Sequence, residues 1–197
     1  MSLLIENGRK LTVNYTDTHR EIIEQSKQGK IKAQYKLYQL YAKAMYNICF
    51  RMLNNQYEAE DMLQESFSEA FLQLDNFRYE SSFGAWLKKI VINKCINSLK
   101  RKKVDLVFYD ELPVETTNES EPDFDDIQMT IKNVHKAIEQ LADGYRIILT
   151  LYLLEGYDHS EIAQILNISE STSKSQYLRA KRKIKEIITT GKSIIDH

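Results

Sequence analysis

Both prolines of this 197-residue chain, Pro113 and Pro122, stand inside the segment 104–126, which also holds nine carboxylates and no Lys or Arg. Proline removes a backbone donor and collides with the preceding helical turn. Its confinement to one place leaves long uninterrupted helices open on either side. The same segment contains Thr116-Thr117-Asn118-Glu119-Ser120, and such polarity and charge favour extension over packing. It reads as an acidic linker, whose simplest role is that of a solvated tether. Residues 1–103 carry 17 Lys/Arg against 11 Asp/Glu, and residues 127–197 carry 10 against 8, so the formal charge of −1 conceals two basic segments around an anionic one.

Outside the linker the chain is rich in Leu, Ile and Tyr and contains only six glycines, a make-up that points to helices. The expected fold is all-α, with two small helical domains joined by the acidic linker. The divisions are an N-terminal extension 1–26, a first domain 27–103, the linker 104–126, a second domain 127–190 and a tail 191–197. No 18-residue apolar run is present, so no membrane insertion is expected. The opening residues lack a signal peptide's long apolar region, which predicts a cytoplasmic protein. Cys49 and Cys95 fall in helical apolar patterns without metal-ligand spacing and are expected as reduced core thiols.

Residues 157–181 have the spacing of a helix-turn-helix with a cationic extension. Asp158 and Glu161 form a capping-box pair, and Ile162, Ala163, Ile165 and Leu166 give the short helix an apolar side. Asn167 stands at the turn, where it tolerates a left-handed backbone better than most residues. Ser169 can cap the second helix, a contact worth about 1 kcal/mol. There Ser173, Tyr177, Ala180, Ile184 and Ile187 recur as a core face, while Ser171, Lys174, Ser175, Arg179 and Arg182 lie opposite. Hydroxyls and guanidinium groups can read base edges and lysines can hold phosphates. An ordinary helical hairpin with a solvated basic face is the alternative.

Three further helical patterns precede the linker. Over 31–53, Leu37, Tyr41, Ala44, Ile48 and Met52 recur at three- and four-residue intervals. Over about 58–74, Ala59, Leu63, Phe67, Ala70 and Leu74 form one stripe, opposite Asp61, Gln64, Glu65 and Ser68. That acidic face is either a solvated helix side or a dock for a basic protein surface. Over 82–102, Phe83, Leu87, Ile90 and Val91 form a packing stripe beside Trp86, Lys89, Asn93, Asn97 and Lys100, and the helix ends in Lys100-Arg101-Lys102-Lys103. An aromatic ring among cations and amides suits unpaired nucleic acid, because bases stack on rings at about 1–3 kcal/mol each. A core tryptophan is the other reading of Trp86. The preceding segment, 76–82, is a polar loop with two aromatics that can hold an extruded base.

Three motifs in this order resemble the extracytoplasmic-function sigma factors, two-domain initiation subunits of bacterial RNA polymerase. They are Ala59-Glu60-Asp61-Met62-Leu63-Gln64-Glu65-Ser66-Phe67, then Phe77-Arg78-Tyr79-Glu80-Ser81-Ser82-Phe83-Gly84-Ala85-Trp86-Leu87-Lys88-Lys89-Ile90 with Asn93, and the helix-turn-helix ending in Arg179-Ala180-Lys181. The resemblance covers residues 27–188. It implies core RNA polymerase as partner, bound at the beta-prime clamp helices through Asp61, Gln64 and Glu65 and also at the beta flap. It implies minus-ten recognition and melting by Phe77, Arg78, Tyr79, Ser81, Ser82, Trp86, Lys89, Asn93, Lys100 and Arg101. Minus-thirty-five recognition falls to Ser169, Ser171, Thr172, Lys174, Ser175, Arg179 and Arg182. The linker is similar to the segment that runs through the polymerase interior toward the RNA exit path, and an anti-sigma protein is a further implied partner. No catalytic residue, metal or cofactor is implied.

The sequence departs from the family pattern at Asn167 for a usual Gly, Ser173 for Val, Asn97 for Asp and Ala142 for Pro. Two other functions share parts of this pattern. A helix-turn-helix regulator would bind DNA without polymerase, and a sigma-like decoy would sequester an anti-sigma protein without directing transcription. The intact loop, Trp86 and the cationic helix end argue against the decoy. The four histidines, His19, His135, His159 and His197, sit in unlike contexts, and no nucleophile–base spacing or phosphate-binding Gly loop is present.

Overall fold

A computed structural model of the chain describes residues 5–6, 9–10, 19–102 and 131–190. The acidic linker lies outside the described residues, as does Lys103. The N-terminal group consists of α1 (Arg20–Lys27), α2 (Ile31–Leu53), α3 (Gln56–Leu72), a 3₁₀ turn (Leu74–Asn76) and α4 (Phe83–Arg101). The C-terminal group consists of α5 (Ile131–Glu139), α6 (Asp143–Leu149), a π turn (Thr150–Leu154), α7 (His159–Leu166) and α8 (Glu170–Thr190). Two short antiparallel strands, β1 (Ile5–Glu6) and β2 (Arg9–Lys10), are an addition within the N-terminal extension, and the two domains are all-α as expected. Helix α1 is a second addition, since its eight residues are too short for a strong periodic signal. No helix among the described residues is long and apolar enough to cross a membrane.

Helix α2 is central to the first group and packs against α1, α3, α4 and also α6. Being covered on several sides, it buries a wider arc than a single stripe: Met45 and Cys49 are buried beside Leu37, Ile48 and Met52, whereas Ala44 is exposed, contrary to the sequence pattern. The α3 stripe Ala59, Leu63, Phe67, Ala70 and Leu74 is buried as read. Gly84 permits the close approach of α4 to α2, because a Cβ there would meet the Tyr41 ring at 3.0 Å. Cys49 and Cys95 are free, buried thiols. Their mutual hydrogen bond and burial push the Cys95 thiol far up.

The two groups share a core: Ile147, Ile148, Leu151, Ile162 and Leu166 join the cluster that contains Leu37, Met52 and Leu87. Polar bonds close the seam. Arg51 Nη2 donates to Glu155 Oε1 at 2.5 Å, and Lys88 Nζ donates to the Glu155 carbonyl at 2.9 Å. Arg146 donates to the carbonyls of Leu141 and Met52, and Asn54 Nδ2 donates to the Glu139 carbonyl at 2.9 Å. The π turn sets this up, since Glu155 N–H bonds back five residues to the Thr150 carbonyl and Gly156, at φ +76°, redirects the chain into α7. A smaller core of Ala137, Ile138, Leu141, Leu149, Ala180 and Ile184 ties α5 and α6 to α8.

Candidate nucleic-acid and polymerase interfaces

Helix α3 begins where the Asn55 side chain accepts from Glu58 N–H at 3.2 Å. Because its stripe is buried, Asp61, Gln64, Glu65 and Ser68 face outward together. Glu65 also turns toward α4. Lys94 Nζ lies 3.7 Å from Glu65 and 2.7 Å from Glu69, and the hydrogen bond to Glu69 holds its ammonium above the ordinary range. A groove of about 440 Å³ runs between the two helices, with Glu65 and Glu69 on one wall and Asn93, Asn97 and Arg101 on the other. The acidic face and the α4 cationic side therefore meet along one groove, which spacing within either helix did not reveal.

On α4, Ser82 caps the helix by accepting from Ala85 N–H at 3.2 Å. Lys89, Asn93, Asn97, Lys100 and Arg101 are exposed. Trp86 is half-buried, with one side against Phe77 and Phe83 at ring-centroid distances of 5.3 and 5.7 Å. It thus combines the two readings of the sequence, being anchored in the core while keeping part of its surface outside. Phe77 requires a correction: it is only 3 % exposed and packs on Phe83, Trp86 and Tyr79, so it belongs to the core beneath the loop and not to its outer surface. In the loop itself Arg78 is exposed, Ser81 and Ser82 are half-buried, and Tyr79 adopts φ +58°. A left-handed backbone costs a bulky residue roughly 1–3 kcal/mol and persists only where neighbours hold it.

The helix-turn-helix follows its local chemistry. Asp158 Oδ1 accepts from Glu161 N–H at 2.8 Å, and Glu161 Oε2 accepts from Asp158 N–H at 3.0 Å, which completes the capping box. Asn167 closes α7 at φ +58° in the left-handed conformation. Ser169 Oγ then accepts from Thr172 N–H at 3.0 Å to start α8. Ser169, Ser171, Lys174 and Arg182 are exposed, and Ser175 and Arg179 are half-exposed. Thr172 is the second correction, because it is 4 % exposed and its hydroxyl lies 2.6 Å from Ser169 Oγ, inside the cap rather than on the outer face. Gln176, one turn on, is buried as well. Helix α8 is covered by both α6 and α7, so its buried arc is wider than the Ser173–Ala180 row.

Ser173 is fully buried, and its Oγ shares a 2.9 Å hydrogen bond with His159 Nδ1. The His159 ring stacks on Tyr152 at 4.4 Å and meets Tyr177 edge-on at 5.7 Å. Burial, with a smaller contribution from the nearby Lys174 charge, holds the imidazole pKa below its usual value.

Residues 37–104 match the family described as sigma-70 region 2, and residues 131–184 match that described as sigma-70, region 4. The ECF RNA polymerase sigma factor SigM of Bacillus subtilis is 30 % identical over 156 residues, covering 79 % of this chain and 94 % of the relative. The chain is an ECF sigma factor. SigW of the same organism is 28 % identical over 177 residues, covering 83 % of this chain and 93 % of its own. Among solved structures, the sigma factor RpoE in complex with the anti-sigma factor NepR from Bartonella quintana matches with a TM-score of 0.54 at 20 % identity, over 82 % of this chain and 100 % of that one. CnrH in complex with the cytosolic domain of CnrY matches with a TM-score of 0.53 at 19 % identity, over 89 % and 100 %. These two likenesses concern the fold.

The sigma factor is all-helical in its two sigma-70 domains and directs promoter-specific initiation by RNA polymerase, a role that involves no enzymatic chemistry of its own. The sequence reading missed Lys94, His159 and Gln176. Lys94 sits beside Asn93 in a helix otherwise read for one sector, and only the packing of α3 on α4 pairs it with acids. For His159 and Ser173, the 14-residue separation spans the turn, so a helix-turn-helix geometry is needed before their contact is evident.

Proposed function

We propose that this sigma factor holds core RNA polymerase through Asp61, Gln64 and Glu65, opens the minus-ten element with the 77–82 loop and α4, and reads the minus-thirty-five element with α8. The polymerase contacts are the beta-prime clamp helices and the beta flap. The observation that carries this reading is the outward alignment of Asp61, Gln64 and Glu65 on a helix whose opposite stripe is buried, next to the exposed line Lys89, Asn93, Lys100 and Arg101. Exposed cations follow phosphates, and the open face of Trp86 with Arg78 and the loop serines receives an unstacked base. Opening is then a shift in equilibrium, because the loop and ring bind the displaced strand better than the duplex. On α8, Ser171, Lys174, Ser175, Arg179 and Arg182 face the major groove, with Ser169 at the helix start. Thr172 shapes the cap beneath them.

An anti-sigma protein is proposed as a further partner, supported by the fold shared with a sigma factor solved in such a complex. Reconstitution with core polymerase on a promoter library tests the assignment. Asp61→Ala is expected to weaken polymerase association, and Arg179→Ala is expected to preserve it while reducing dependence on the upstream element by about 1–3 kcal/mol. Equal loss of polymerase binding in both variants overturns the division of labour.

A further inference from the structure

Helix α1 precedes the segment matched to sigma-70 region 2, and its contacts converge on the loop. Arg20, Glu24 and Lys27 are spaced four and three residues apart and share one helical face. All three reach Tyr79. Its phenol donates to Glu24 Oε1 at 2.6 Å, the Arg20 guanidinium lies 4.7 Å from the ring centroid, and Lys27 Nζ lies 5.0 Å from it. Lys27 also donates to the Phe77 carbonyl at 3.0 Å and pairs with Glu24 at 3.5 Å, so the loop is gripped by side chain and backbone together. The helix is fixed from behind, with Ile23 fully buried and His19 hydrogen-bonded to Tyr41 at 2.9 Å. Tyr79 meanwhile keeps a left-handed backbone that its own side chain disfavours. The cluster accounts for how that conformation persists.

We infer that Arg20, Glu24 and Lys27 are positioning residues for promoter opening: through Tyr79 they fix the 77–82 loop in the shape that receives the displaced strand. The ligand is a single-stranded DNA base, presented to Arg78, Ser81 and Ser82 on the loop's outer side. None of the α1 residues touches it; they act by pre-ordering the loop, which lowers the ordering cost met on binding. This inference rests on the proposed role of the loop in capturing a base.

The test uses the full chain with core polymerase and a promoter carrying 2-aminopurine in the non-template strand of the minus-ten element, whose fluorescence rises as the base unstacks. Tyr79→Phe removes the phenol donor, Glu24→Ala removes its acceptor, and Glu24→Gln retains one. Both of the first two variants should slow the fluorescence rise about five- to tenfold, the scale of the net worth of one ordinary hydrogen bond, since this one stands in solvent. The double variant should be no slower than either alone, and Glu24→Gln should recover most of the rate. Polymerase affinity and minus-thirty-five duplex binding should stay at wild-type values. Arg78→Ala distinguishes the role of α1 from that of the loop. If it slows opening while Tyr79→Phe and Glu24→Ala do not, the α1 inference is overturned and the loop reading stands. If Arg78→Ala also opens at the wild-type rate, the loop reading fails and the inference falls with it.

Discussion

Below the 77–82 loop, Phe77, Phe83, Leu87 and Val91 pack hydrocarbon against hydrocarbon, whereas the buried side chains of α8 include the polar Thr172, Ser173 and Gln176. Apolar packing is non-directional and scales with buried area, so it supplies stability with little say over orientation. Hydrogen-bonded polar layers are directional, and their geometry fixes how one helix lies on another. The N-terminal group therefore draws stability from its apolar platform, while polar contacts from its own α1 hold the shape of its loop. In the C-terminal half, the pose of α8 depends on a small set of polar contacts.

Truncating the platform should give the largest effect. Phe83 is fully buried and meets Tyr41, Phe77 and Trp86. Phe83→Ala is expected to cost about 3–5 kcal/mol in denaturant unfolding, the scale for a buried aromatic. A loss below about 1 kcal/mol would mean that the aromatic cluster is not the platform's core.

The seam between the halves comes next. Glu155 is 6 % exposed at its side chain and is the shared partner of Arg51 and Lys88. Glu155→Ala leaves the two cations on the N-terminal side of the seam without their shared carboxylate partner, with an expected cost of about 2 kcal/mol, below the 3–5 of a fully buried pair because both cations keep some solvent. Hydrogen exchange should quicken at the C-terminal ends of α2 and α6 while the α7–α8 amides keep their protection. Uniform quickening through α8 would show that the two groups fold as one inseparable unit.

These contacts also mark where the sequence stopped being informative. Stripes on α3, the capping box of α7, Asn167 and the Ser169 cap were legible, because each is decided within one or two helical turns. Arg51 and Glu155 are 104 positions apart, and nothing in the spacing of either predicts the other. Phe77 was misread because a short polar loop carries no period by which to tell an inward ring from an outward one. Ala44 and Thr172 were misplaced for another reason. Periodicity gives the centre of a buried face, but the width of that face depends on how many helices cover it.

A smaller effect probes the polar layer under α8. Ser173→Ala removes the hydroxyl that meets His159 and should destabilise the helix-turn-helix by about 1 kcal/mol, the net worth of one hydrogen bond. Its effect on transcription should be confined to promoters that depend on the minus-thirty-five element. An equal loss on promoters that need only the minus-ten element would place the damage outside the recognition helix.

Acidification offers the finest test of the same layer. Burial first, and the Lys174 charge second, lower the His159 pKa below its ordinary value of 6.5, so the folded state disfavours the imidazolium. The unfolded chain then binds more protons than the folded one in the interval between the lowered value and 6.5. The stability contributed by neutral His159 is accordingly complete above that interval and declines as pH falls through it, down to the folded value. Protonation also converts Nδ1 into an obligatory donor, which requires Ser173 Oγ to accept, and it places a cation on the face of the Tyr152 ring. His159→Gln keeps a polar group at this site but removes the titration, so its stability should vary less with pH across the interval than that of the wild type. The measurement is thermal unfolding monitored by α7–α8 amide signals at a series of pH values. A wild-type profile that rises on acidification, or one that His159→Gln leaves unchanged, would remove His159 from the account and return the pose of α8 to Thr172, Gln176 and the apolar contacts of Ala180 and Ile184.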